Sequence, residues 1–84
     1  MTPDSEIYAG LTEIFHEVFM REDLHLTATL SARDLKGWDS FKQIEIILAT
    51  EQRFQIKLHT RELDSLGNVG DLVRVIAAKI ALKQ

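Results

Sequence analysis

Three stretches of this chain repeat apolar residues at helical spacing, while only one short segment alternates as a strand would. That pattern constrains the fold most, because amphipathic helices with no sheet to cover must bury their stripes against one another. In the first stretch, Pro3 to about Met20, Ile7, Leu11, Ile14, Phe15 and Val18 share one face. Thr2 can cap it, Pro3 suits the first helical position, and Asp4 and Glu6 lie near the positive end of the helix dipole. In the second, Ser40 to about Arg53, Phe41, Ile44, Ile47 and Leu48 mark a face that Ile46 and Ala49 broaden, with Asp39 as N-cap. In the third, Asn68 is the cap, and Val69, Leu72, Val73, Ile76 and Ile80 form the face.

The connections carry their own signals. Residues 21–39 lose the helical period: Leu24, Leu26, Leu30 and Leu35 are scattered among Thr27, Thr29, Ser31, Asp34 and Gly37. This predicts a long loop, with one short turn at most, pinned by its leucines over the helix ends. A loop of that length in a compact domain is uncommon and often functional. Phe54, Ile56 and Leu58 alternate with Gln55 and Lys57. A lone strand has no partner here, so the segment predicts an extended connector with inward apolar side chains. Thr60 to Leu66 predicts one short helical turn with Leu63 and Leu66 inward, ended by Gly67. The expectation is an all-α chain: a small four-helix bundle with three longer helices, a short third one and a long first loop.

Length and composition narrow the function classes. The 84 residues fit one domain, 1–84. Such a domain buries only about 60% of its unfolded surface. There is no cysteine, which removes disulfides, thiolate zinc sites and thiol nucleophiles. No apolar run approaches the ~18 residues of a membrane span. Met1 to Glu6 is acidic, without the basic-then-apolar order of a signal peptide, so the expected location is the cytoplasm. A net charge of -3 argues against nucleic acid as a partner. The first helix carries four acids and no Lys or Arg, whereas Asp71 to Gln84 carries Arg74, Lys79 and Lys83 against one acid. Read plainly, these are solvated faces, with slight attraction between neighbouring helices.

Catalytic and metal chemistry find no support in the spacing. His16, His25 and His59 fall in separate elements, with no pair at ligand spacing, and read as ordinary exposed or half-exposed histidines. The glycines, at 10, 37, 67 and 70, are too sparse for a phosphate-cradling loop. One segment asks for more: Gly37-Trp38-Asp39-Ser40-Phe41. A serine at the first turn of an amphipathic helix, just past a long loop, is exposed. The free backbone N–H groups and positive dipole end beside it accommodate a phosphate ester on its oxygen. An isolated Asp-Ser pair nonetheless reads first as a helix cap.

The surrounding run moves that reading. Leu35 to Leu58 reads LKGWDSFKQIEIILATEQRFQIKL, and Asn68-Val69-Gly70-Asp71-Leu72 follows. This resembles the acyl carrier protein family: Asp-Ser-Leu, an amphipathic helix, Glu-x-x-Phe-x-Ile-x-Ile, a short third helix, then a Thr-Val-Gly-Asp-like start to the fourth. Asp39-Ser40-Phe41 and Glu51 to Leu58 stand at those places, and the likeness runs from about Leu35 to Ile80. The resemblance implies a bundle of the acyl carrier type and a covalent 4′-phosphopantetheine, moved from coenzyme A onto Ser40 Oγ by a phosphopantetheinyl transferase. Asp39 would support the modification near the transferase's magnesium. The arm's thiol would hold an acyl or aminoacyl cargo as a thioester, presented to loading and processing enzymes. The chain itself would catalyse nothing and hold no metal. It would act as a free-standing monomer.

A literal Asp-Ser-Leu also occurs at Asp64-Ser65-Leu66. Helical context separates the two, since Gly67 and Gly70 follow Ser65 within five residues and no four-turn helix starts there. The chain departs from the family in two ways. Lys42, Glu45, Glu51 and Arg53 sum to zero along the second helix, where many carriers of fatty acid synthesis are strongly acidic. Electrostatic steering along this helix is then weak, which implies a dedicated partner set, as in a specialised biosynthetic pathway. Phe41 replaces the usual leucine and is either an aromatic anchor for partners or buried under the loop. Phe41, Lys42 and Glu45 are the candidate partner contacts, and Trp38 reads as loop packing. Space for an acyl chain is expected near Ile44, Leu48, Leu63 and Ile76. The competing reading is a carrier-like helical interaction module that is never modified.

Overall fold

A computed structural model describes residues 4–59 and 66–83, with Lys83 as backbone only. Among the described residues there are three helices and no strand: α1 (Asp4–Phe19), α2 (Ser40–Phe54) and α3 (Val69–Lys83). The expected helical turn over Thr60–Leu66 lies outside the described residues except for Leu66, which is half-buried and irregular. Over the described residues the architecture is all-helical, with three long helices.

Helix α1 follows its pattern: Ile7, Leu11, Ile14 and Phe15 are buried, and Val18 is partly so. Both α2 and α3 pack on it. From α3 come Val69, Leu72, Val73 and Ile76, all buried as their spacing predicts. A fully buried side chain of this size contributes roughly 1.5–3 kcal/mol relative to exposure. Phe15, at 0% exposure, is the largest such residue.

Helix α2 corrects the expectation. The buried residues are Ile46, Ile47 and Thr50, whereas Phe41, Ile44 and Leu48 are exposed. The helix is apolar on two sides, so periodicity alone could not say which side meets α1. The face that wins carries Ile46 and Ile47, and its one hydroxyl is satisfied because Thr50 Oγ1 donates to the Ile46 carbonyl at 2.7 Å.

Helices α1 and α2 stop in the same way. Met20 and Gln55 each take a left-handed backbone, with φ of 54°. The next N–H then reaches back to the last turn, Arg21 to the His16 carbonyl and Ile56 to the Glu51 carbonyl, each at 3.1 Å. Beyond α2 the chain runs extended, as expected, with Ile56 buried and Leu58 partly so. The Leu58 N–H donates to Glu51 Oε2 at 2.9 Å.

The long loop is fastened at two levels. Leu24 and Leu35 enter the core, and Leu26 and Leu30 pack against it. Its backbone also serves α3: the Val69 and Gly70 N–H groups donate to the carbonyls of Leu30 and Ala28, at 2.8 and 2.9 Å. A helix leaves its first N–H groups without internal partners, and here the loop supplies them. The loop holds more turns than expected, with Leu30 N–H returning to Thr27 and Asp34 N–H to Ser31.

Candidate functional site

Gly37 prepares the entry to α2. Its φ of 94° lies in the left-handed region, which a side chain resists and glycine accepts. The chain then passes Trp38 and reaches Asp39, whose extended backbone (φ −115°, ψ −170°) makes it the N-cap. Asp39 Oδ1 accepts from the Lys42 N–H at 3.0 Å, and its carbonyl takes the first helical bond, from the Gln43 N–H at 2.9 Å. Ser40 is the first helical residue and is exposed. Among the described residues, its N–H and that of Phe41 meet no acceptor. The hydroxyl thus sits at the positive end of a 15-residue helix beside two free donors.

Trp38 anchors this corner. It is half-buried, edge-on to Phe15 with ring centroids 5.3 Å apart, and 6.3 Å from Phe19. Its indole N–H donates to Gln43 Oε1 at 2.7 Å. Lys42 ties the same turn to α1, its Nζ donating to the Val18 carbonyl at 2.9 Å, near the negative end of α1's dipole. Neither partner stood out in the sequence. The available signal was that a half-buried indole needs an acceptor, and Gln43 lies five residues on.

Beside Ser40 opens a cavity of about 520 Å³. Trp38 and Gln43 line one part of it, Ile44, Leu66 and Leu72 supply apolar surface, and Asn68 completes it at the start of α3. Of the residues expected to make room for an acyl chain, Ile44 borders this space. Leu48 is exposed, Ile76 is fully buried in the core, and Leu63 lies outside the described residues.

The other candidates are placed as follows. Phe41 is 77% exposed, so it is not covered by the loop. With Ile44 and Leu48 it forms an i, i+3, i+7 apolar stripe running from the serine along α2. Glu45 is exposed and pairs with Lys42 at 3.8 Å. Asp64 and Ser65 lie outside the described residues. His16 is half-buried, with Nε2 3.1 Å from the Leu24 carbonyl, while His25 and His59 are exposed. The described residues contain no cluster of metal-ligating side chains and no helix long and apolar enough to cross a membrane.

Comparison with known proteins converges on one family. Residues 9–76 match the phosphopantetheine attachment site family. The chain is 38% identical over 71 residues to a meromycolate extension acyl carrier protein of Mycolicibacterium aurum, covering 84% of this chain and 73% of that one. It is 33% identical over 72 residues to an acyl carrier protein of Acidothermus cellulolyticus, covering 86% of each. The solution NMR structure of the holo acyl carrier protein from Geobacter metallireducens superposes with a TM-score of 0.85 at 38% identity, over 90% of this chain and 87% of that chain. Helix order, family match and structural likeness agree, and the chain belongs to the acyl carrier protein family, whose members carry a covalently attached 4′-phosphopantetheine.

Proposed function

We propose that Ser40 is the attachment residue. One observation carries this reading: an exposed serine hydroxyl at the N-terminus of α2, capped by Asp39 and bordered by an open cavity. A phosphate diester on Oγ would meet the free first-turn N–H groups and the positive helix end. The site therefore suits the group the family carries. In the attachment reaction a phosphopantetheinyl transferase joins Ser40 Oγ to phosphorus. The bond from that phosphorus to 3′,5′-ADP breaks, and the serine proton passes to solvent. Asp39 fixes the turn that presents the hydroxyl, and its second carboxylate oxygen is available to the transferase's magnesium.

Once attached, the arm supplies a thiol that holds cargo as a thioester. The chain's own part is to present it. We read the domain as a non-catalytic, monomeric, cytoplasmic carrier spanning residues 1–84. Its cargo is an acyl chain, a choice supported by relatives named for meromycolate extension. Its partners are the transferase and the acyl-loading and acyl-processing enzymes. They dock along α2 through Phe41, with Lys42 and Glu45 at the rim. Exposed large aromatic and aliphatic side chains beside a reactive group are what an interface core uses.

The test is intact mass after incubation with coenzyme A, magnesium and a broad-specificity transferase. Wild type gains one phosphopantetheinyl group and Ser40→Ala gains none. A gain that persists in Ser40→Ala moves the site to another serine, with Ser65→Ala the next variant. No gain in folded wild-type protein supports an unmodified interaction module.

A further inference from the structure

Two side-chain amides in the cavity beside Ser40 have their orientations fixed by neighbours. The Trp38 indole can only donate, so Gln43 must offer it the oxygen. Gln43 Nε2 is then turned to other partners, and it finds none among the described residues. Asn68 is committed in the same sense. Its Oδ1 accepts from the Asp71 N–H at 2.9 Å as the cap of α3, and Nδ2 meets no acceptor among the described residues. Both residues line the cavity and both are half-buried. Two side chains that each keep an uncommitted NH₂ donor therefore line this cavity, Gln43 from α2 and Asn68 from the residue before α3. The apolar side chains of Ile44, Leu66 and Leu72 share the same space.

We propose that Gln43 and Asn68 seat the phosphopantetheine arm against the domain by donating to its amide carbonyls. The inference rests on Ser40 being the attachment residue. Phosphopantetheine offers two amide carbonyls in sequence from the phosphate, with a gem-dimethyl carbon ahead of them. A ligand with acceptors at intervals and apolar segments between them matches donors set in an apolar wall. Water serves such half-buried donors when the arm is away. Closing the arm onto them therefore exchanges one set of hydrogen bonds for another, and burial of the arm's apolar carbons tips the balance. The seat is a parking position: it holds the arm near the surface yet gives way when a partner enzyme draws the arm out.

The experiment uses the full chain labelled with ¹⁵N, converted to the holo form with coenzyme A and the transferase, with complete single addition verified by intact mass. Side-chain NH₂ resonances of Gln43 and Asn68 are compared in apo and holo protein, together with Overhauser contacts to the arm's gem-dimethyl protons. Expected are downfield shifts of both NH₂ pairs and contacts from both to the arm. In holo Gln43→Glu the Trp38 acceptor is kept while the donor is deleted. There the contacts from Asn68 to the arm should be lost, with the Trp38 indole resonance unmoved. Complete addition at Ser40 with both NH₂ pairs unmoved and no contacts overturns the seat and leaves the attachment reading intact. Absence of addition at Ser40 overturns both.

Discussion

A β-carbon at position 10 would stand 2.8 Å from the tip of the Phe54 ring and 3.5 Å from the Arg53 side chain. Gly10 is buried in the middle of α1, where glycine is otherwise a poor choice. Its reason is the close approach of α2's last turn. Alanine would gain helix propensity and lose the fit of a partly buried ring, with overpacking of this kind costing about 1–3 kcal/mol. Gly10→Ala is expected to lower the thermal midpoint, and Gly10→Ala/Phe54→Leu to recover most of the loss. Both are read by thermal denaturation. At Asn68 the relevant term is the cap: Asn68→Ala removes the acceptor for Asp71 N–H and should cost about 0.5–2 kcal/mol. Asn68→Asp keeps that acceptor and should stay near wild type in the same melts.

At the scale of an element, the ends of α1 and α2 are more telling than their middles. Met20 holds φ of 54° and is 89% exposed. Nothing but backbone geometry decides this position, and a non-glycine residue there carries a steric penalty of about 1–2 kcal/mol. Met20→Gly is expected to stabilise the protein, partly offset by the larger entropy of the unfolded chain. A denaturant midpoint that moves to lower concentration would contradict it. Just beyond, Arg21 grips Asp23 through two hydrogen bonds, at 3.1 and 2.8 Å. Those bonds, seconded by the residue's own backbone, hold the Asp23 carboxyl below its ordinary value. A depressed carboxyl contributes stability that is present above the usual aspartate range and fades as pH falls through the lowered value. Both side chains are solvent-exposed, so the effect on stability is small. The cleaner readout is a carboxyl NMR titration, in which Arg21→Ala should return Asp23 upward. The faces of α1 and α3 were legible in the sequence because their apolar residues crowd one side. That of α2 was not, because Ile46 and Ile47 point one way and Phe41, Ile44 and Leu48 another. Only the position of α1 decides between the stripes.

For the whole molecule, the leftover stripe on α2 is the feature that α1 did not claim. Phe41 and Leu48 should be replaceable by alanine with changes in stability within about 0.5 kcal/mol, as for other surface positions. The same variants should impair transfer to partner enzymes. With Lys42 turned to Val18 and Glu45, this face presents little net charge. Association with partners is therefore expected to change only weakly with ionic strength. Binding measured from low to high salt checks this, and a steep loss would show that charge elsewhere on the surface does the steering. The cap at Asp39 and the exposure of Ser40 were legible because both follow from local order. The cavity, Gln43 and the tie from Lys42 to α1 were not, because they depend on where the long loop lies across the helix ends.

Trp38 is the molecule's sole tryptophan, and it stands two residues from Ser40 with its indole hydrogen-bonded across the first turn of α2. The protein therefore contains its own optical probe at the corner of the proposed attachment serine. Intrinsic emission will respond to unfolding through the loss of contact with Phe15. It will respond separately, at constant fold, to whatever enters the space between Trp38 and Asn68. A single unlabelled sample can thus follow stability and occupancy of this corner, and a stopped-flow trace of that emission times changes there.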